Sequence, residues 1–406
     1  MKNSRSPQRI DYSIIFPVLI LCIIGIVTLY ATTVHIQGED LTVTLRQLGW
    51  LVIGAVAAGL LLLVDSEKLW KATPYVYGFA LLLLIATLLF YDRQLAASAG
   101  ARRWISIPGI GMTIQSTEFV KIPFILMLSK VVTEHNHKYK IHTNKSDFFL
   151  LGKIILYTAP PLFLVLMQPD LGTGLAFAAI AAGIVLLSGI RWRILLPIII
   201  FILVFGVGFV LLAIYQRDFL VDVLGFHEYQ FRRIDTWLNP HQDMSSYSYQ
   251  VTQAFKAIGS GGIIGKGFGV SEVYVPVRES DMIIASIAEM FGFVGTSIVI
   301  FVYFLLIYNM VKVIFDIRNE FYSYVATGVI MMIVFHILEN IGMNIGLMPL
   351  TGIPLPFISQ GGSALVGNLL GVGLIMSMKF HHKSHYYSGE RRSRYRLKNR
   401  PGKEWN

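Results

Sequence analysis

Asp281 is the residue whose surroundings most invite chemistry. It closes the polar run Val275-Pro276-Val277-Arg278-Glu279-Ser280-Asp281, and the apolar run Met282-Ile283-Ile284-Ala285-Ser286-Ile287-Ala288 follows directly. An ionisable group at the edge of a membrane-length apolar segment is costly without a partner and marks a functional site by default. A carboxylate there, ionised at neutral pH, could serve as a general base for a substrate with a lipid-embedded tail and a polar head. Its plainer reading is an N-cap for the helix that follows. Glu289 lies two i,i+4 steps deeper, past the small Ala285. It reads as the partner of a buried donor or as a group tuning the potential of a groove over Ala285.

Other polar groups suggest what such a base would act on. Arg102, Arg103, Arg232, Arg233, Lys256, Lys266 and Arg278 all fall in segments that topology puts on the side of Asp281. Singly, each reads as a snorkelling interfacial residue. As a set they suit a phosphate-bearing ligand, since guanidinium matches phosphate bidentately. Glu118 and Lys121, three apart at a helix start, form an expected ion pair. Asp170, after Pro169, reads as a helix cap or as a site residue. His336, Glu339, Asn340 and Asn344 make a polar stripe, best explained by interhelical hydrogen bonds. Gly259-Ser260-Gly261-Gly262-Ile263-Ile264-Gly265-Lys266-Gly267 resembles a nucleotide loop only superficially. Ser260 stands in place of its first glycine and Gly267 in place of its Ser or Thr, so a flexible hinge is expected, with Lys266 free to meet an anionic head group.

The elements that must position these residues are membrane spans. The chain is 54% hydrophobic and 14% charged, with a mean hydropathy of +0.61, a balance suited to lipid rather than to a soluble core. Runs of about 20 apolar residues, the length that crosses a bilayer, recur at 12–32, 47–64, 74–91, 119–133, 150–167, 171–189, 194–215, 282–310, 322–347 and 361–380. The expectation is an all-α polytopic membrane protein of about ten helices. A tail over 1–11 precedes the bundle at 12–380, and a basic tail over 381–406 follows it. The first span reads as a signal anchor, and Cys22, the single cysteine, excludes a disulfide framework. Lys2, Arg5, Arg9, Lys138, Lys140, Lys145, Arg191, Arg193 and the tail from Arg391 to Lys403 share one side. By the positive-inside rule that side is cytoplasmic, with both termini in it and the large loop 216–281, between spans seven and eight, outside. A surface helix is expected around 246–258. The basic tail reads as solvated, disordered and attracted to anionic lipid, so no nucleic-acid partner is expected.

Three segments carry a family resemblance: Gln168-Pro169-Asp170-Leu171-Gly172-Thr173, Glu279-Ser280-Asp281, and Gly352-Ile353-Pro354-Leu355-Pro356-Phe357-Ile358-Ser359-Gln360-Gly361-Gly362-Ser363. Across all ten spans the chain resembles the SEDS family (shape, elongation, division and sporulation), the RodA/FtsW family of bacterial cell-wall polymerases. Asn340-Ile341-Gly342-Met343 and Lys379-Phe380-His381-His382-Lys383 are more similar to RodA of Gram-positive bacteria than to FtsW. Gln360 replaces a usual Tyr, Met282 a common Phe, and Arg278-Glu279-Ser280 a His-Thr flank. The resemblance implies an inverting peptidoglycan glycosyltransferase acting on lipid II at the outer face of the cytoplasmic membrane. A class B penicillin-binding protein and other elongation-complex membrane proteins are its implied partners. It maps the family's essential aspartate onto Asp281, its loop tryptophan onto Trp104, and its Glu and Lys onto Glu118 and Lys121. Arg102, Arg103, Asp170, Arg232, Arg233, Lys266 and Ser363 complete the expected substrate-binding set. No cofactor is required by these motifs, although a divalent cation (Mg or Mn) could share the leaving diphosphate's charge. A lipid II flippase, a division-specific FtsW-type polymerase and a structural scaffold are the alternatives.

Overall fold

The computed structural model describes residues 11–107, 112–220, 228–240, 246–316 and 319–398. Ten long helices correspond one to one with the ten apolar runs. They are α1 (Tyr12–Tyr30), prolonged by a π-helical stretch Ala31–Ile36, α2 (Thr42–Leu61) and α3 (Ser66–Phe90). A short α4 (Arg93–Ala99) leads to strands β1 (Trp104–Ile107) and β2 (Met112–Gln115). Next come α5 (Ser116–Lys138), α6 (Asn144–Leu166), α7 (Leu171–Leu187) and α8 (Trp192–Tyr215). The large loop holds α9 (Glu228–Leu238) and α10 (Ser246–Ser260), the latter where a surface helix is expected. The chain closes with α11 (Ile283–Asp316), α12 (Glu320–Asn344) and α13 (Gly362–Lys398). Two expectations need correction. The antiparallel β1–β2 ribbon, with Trp104 opposite Gln115, interrupts an otherwise all-α chain. The backbone of α13 continues helical to Lys398, where a disordered tail is expected.

Among the described residues, eight helices are long and apolar enough to cross a membrane: all of the ten except α5 and α7. The polar helix α5 carries Glu118, Lys121, Lys130 and Glu134, and α7 is short. Both are nonetheless packed into the bundle: Phe124 of α5 meets Phe177 of α7 at 4.9 Å between ring centroids. The core centres on α5, α12 and α13, whose inward faces are joined by buried side chains of α1, α3, α6, α7 and α11. A backbone approach locks α2 to α13, because a Cβ on Gly373 would stand 2.7 Å from the Cα of Ala58. Small residues allow this closeness where lipid gives helices no hydrophobic reason to associate. Lys379 of α13 pairs with Asp11, the cap of α1, so the start of α1 and the Lys379 turn of α13 lie at one end of the bundle.

Helix α11 is broken. Gly292 takes φ +63° and ψ −161°, outside any helical conformation. A break at membrane depth strands backbone groups that lipid cannot satisfy. The glycine-rich segment before α11 satisfies them: Phe293 N–H donates to Gly262 O (2.9 Å) and Val294 N–H to Ile263 O (3.0 Å). In return the Glu289 and Met290 carbonyls accept from the amides of Lys266 and Gly267, each at 3.0 Å. The expected flexible hinge is thus a fitted backbone wedge. Glycine is required because a Cβ on Gly265 (φ +80°) would stand 2.2 Å from Met290 O. Gly265→Ala should therefore lower stability by about 2–6 kcal/mol, strain and overlap combined. Gly59→Ala, with nothing within 4 Å of the added carbon, should be near neutral in the same thermal-unfolding assay in detergent.

Candidate active site

Asp281 sits in the turn before α11, at the bundle end opposite the Asp11–Lys379 pair. The turn closes through Ser280 N–H and Met282 N–H, both donating to Val277 O (3.2 and 3.3 Å). Val277 adopts φ +53°, a left-handed conformation that persists only where surrounding contacts over-determine it. Those contacts come from α12 and the loop after it. Asn340 and Asn344 both donate side-chain N–H to the Asp281 carbonyl, at 2.9 and 3.0 Å. Asn340 reaches Ile353 O as well (2.8 Å). The Ser359 hydroxyl donates to Ser280 O (2.7 Å), and Gln360 N–H to Glu279 O (2.9 Å). The polar stripe on α12 thus holds the backbone that carries the carboxylate.

The Asp281 carboxylate itself accepts from the Ser280 hydroxyl (2.9 Å) rather than from an amide at the helix start, so the capping alternative is not what occupies it. It is partly buried. Burial pushes its pKa above the usual carboxylate range, while the positive charge of Arg103 and the Ser280 hydrogen bond pull it back. Gly352, at φ +72°, faces it: a Cβ there would stand 3.1 Å from Asp281 Oδ2. The absence of a side chain here lets the loop pass close to the carboxylate, and this role is not legible in the sequence beyond the glycine's place in the third motif.

The loops flanking β1 bring further expected residues to the same end. Arg103 Nη1 donates to Asp170 Oδ1 (3.1 Å), and its guanidinium lies 4.3 Å from the Trp104 ring centroid. Asp170 also caps α7 through Thr173 N–H (3.2 Å), as its capping reading expects. Arg103 Nε is buried with no protein partner. Arg102 is exposed and lies over Tyr91 at 5.2 Å. The hydroxyl of Ser363, buried at the start of α13, accepts from Gln115 N–H (3.0 Å) and ties the ribbon to the bundle. The neighbouring Gln47 and Gln37, which sequence reasoning missed, brace the same loop: Gln47 donates to Ser359 O (3.1 Å) and Gln37 to the Glu279 carboxylate (3.0 Å). Arg232 and Arg233 fall on α9, but their side chains lie outside the described residues.

Two sets of buried charge lie below this mouth. Lys121 Nζ donates to Glu118 Oε1 (2.8 Å) and meets His336 Nε2 (2.9 Å), all three side chains being almost wholly buried. Glu289 binds Lys266 (3.2 Å) and Arg278 (3.4 Å), and so answers the sequence question in favour of a buried partner. The groove expected over Ala285 is filled, because Ala285 packs with Val251, Ala254 and Ala257 of α10. Among the described residues no three His, Cys, Asp or Glu side chains converge as a metal cage. A cation riding on a diphosphate would need only one or two protein carboxylates.

A bundle of long apolar helices, with Asp281 and the Arg103–Asp170 pair at one polar end, defines a polytopic membrane protein. Residues 12–384 match the family described as "Cell cycle protein", FtsW/RodA/SpoVE. The peptidoglycan glycosyltransferase MrdB of Escherichia coli K12 is 31% identical over 90% of this chain and 94% of its own. The chain belongs to this family. The rod shape determining protein RodA of Thermus thermophilus is similar in structure, with a TM-score of 0.65 at 25% identity over 92% of this chain and 97% of its own. A chain from a peptidoglycan synthase complex shares the fold, with a TM-score of 0.73 at 24% identity over 92% and 98%.

The buried ion pair on α5 gives a test. Glu118→Ala leaves Lys121 charged and buried and should destabilise the protein by about 3–5 kcal/mol, whereas Glu118→Gln with Lys121→Met should recover most of that loss. Thermal unfolding in detergent reads both variants, and equal losses in the two would refute the assignment.

Proposed function

We propose that the chain is an inverting peptidoglycan glycosyltransferase that polymerises lipid II at the outer face of the cytoplasmic membrane for cell elongation. The single observation that carries this reading is Asp281, held by its backbone at a polar mouth, with its carboxylate beside the Ser280 hydroxyl and the side-chain-free Gly352. The family's named glycosyltransferases support it, as does the positive-inside rule, which puts the mouth outside because the start of α1 and the Lys379 turn of α13 lie at the other end.

In this mechanism two lipid-linked disaccharides present their heads at the mouth with their isoprenoid tails in lipid. Asp281 takes the proton from the 4-hydroxyl of the acceptor's N-acetylglucosamine. That oxygen bonds to the anomeric carbon of the donor's N-acetylmuramic acid, the bond from that carbon to the diphosphate oxygen breaks, and undecaprenyl diphosphate leaves with its electron pair. The configuration inverts. Arg103, with its unpartnered Nε, and the exposed Arg102 supply charge to the departing diphosphate. A class B penicillin-binding protein is the proposed partner that crosslinks the product.

Purified protein given lipid II in liposomes should make glycan strands, and Asp281→Asn should reduce their rate by on the order of 10²–10⁴-fold with substrate binding retained. Undiminished synthesis would remove Asp281 as base, and transbilayer movement without polymerisation would favour the flippase. The pH profile provides a second check. A base with a raised pKa is lost to protonation as pH falls through that raised value, so the acid limb should lie above the usual carboxylate range. Arg103→Gln removes a charge that lowers this pKa, so the limb should move to higher pH. A limb that stays in place in initial-rate measurements contradicts the assignment.

A further inference from the structure

Glu289 carries more of the structure around Asp281 than a single ion pair would. Its carboxylate, fully buried on the outer half of the broken α11, collects donors from the whole segment that precedes that helix. The Ser271 hydroxyl donates at 2.7 Å, the amides of Glu272 and Val273 at 2.8 and 3.1 Å, and Lys266 and Arg278 complete the set. Arg278 is itself buried, and its Nη2 also donates to Val273 O (2.7 Å). Through these bonds one carboxylate fixes the stretch 271–273 and the arginine three residues before Asp281. The wedge meets it from the other side, where Lys266 N–H donates to the Glu289 carbonyl (3.0 Å).

We infer that Glu289 is a positioning residue, whose carboxylate gathers Lys266, Ser271, the 272–273 amides and Arg278 and thereby sets where Asp281 stands. The inference rests on the reading of Asp281 as the base. The strained Val277 turn lies between Arg278 and the wedge, and its own hydrogen bonds run only to residues 280 and 282. The α12 asparagines hold the Asp281 carbonyl from one side. Glu289, through Arg278, holds the turn from the α11 side. Misplacing a catalytic group by about 1 Å can cost on the order of 10²-fold in rate.

The test compares full-length wild type, Asp281→Asn, Glu289→Gln, and the charge-balanced pair Glu289→Gln with Arg278→Met, which leaves no buried arginine unpaired. Two readouts are taken: kcat and KM for lipid II polymerisation, and hydrogen–deuterium exchange of residues 271–282 against α12 as internal control. The expected result is kcat reduced about tenfold or more, KM within about twofold, and faster exchange confined to 271–282, in the charge-balanced pair as well as in the single variant. Unchanged exchange in 271–282 overturns the inference whatever the activity. Equal falls in α12 protection and in activity make Glu289 a general folding residue and also overturn it. If wild type fails to polymerise, or Asp281→Asn equals it, the reaction assignment falls. Faster exchange in 271–282 would then still show that Glu289 positions the segment.

Discussion

A helix that breaks inside a membrane bundle must have its open backbone groups met by protein, and the break at Gly292 makes that demand. The wedge 261–267 answers it with four backbone hydrogen bonds. Everything nearer the mouth follows from this fit. The wedge fixes Lys266, Lys266 lies on Glu289, and Glu289 fixes the segment leading to Asp281. The candidate base therefore stands in a turn anchored to the outer half of a divided helix.

The bundle arranges its charges in two ways. Glu118 and Lys121 neutralise one another inside the helices, as buried charges must, and His336 Nε2 meets the same ammonium. At the mouth the pairing is looser. Arg103 shares Asp170 but keeps a buried N–H without a protein acceptor, and Asp281 accepts from one neighbouring hydroxyl. Unfinished pairing of a charged group at a polar mouth is what a charged ligand would complete, whereas the Glu118–Lys121 pair below ties α5 to α12 through His336.

The ten helices were legible because bilayer thickness imposes a length on apolar runs, and α10 was legible from its pattern in the loop. The partnership of Glu118 with Lys121 followed from their spacing, and so did the capping of α7 by Asp170. The β ribbon was not legible, since its two four-residue strands are too short to display an alternation. Gly292 passed unnoticed because an isolated glycine in an apolar helix is usually tolerated. The wedge was read as a hinge for the same reason: its partners lie across the following turn, and composition cannot show them. The third motif's hold on Asp281 runs through backbone carbonyls, and these carry no sequence signature.

The contact between Asp11 and Lys379 has a topological consequence. Helix α5 reaches from the mouth, where Gln115 at its start meets Ser363, to the other end, where Lys130 donates to Trp70 O at the foot of α3. Helix α7 does the same, from Asp170 beside Arg103 to Ser188, whose carbonyl accepts from Asn136. Neither qualifies as a crossing by hydropathy, yet both traverse the bundle. A clasp between the first and last helices fixes the parity of the passes as even. Ten satisfies it, and deleting either α5 or α7 alone would leave Asp11 and Lys379 on opposite faces of the membrane.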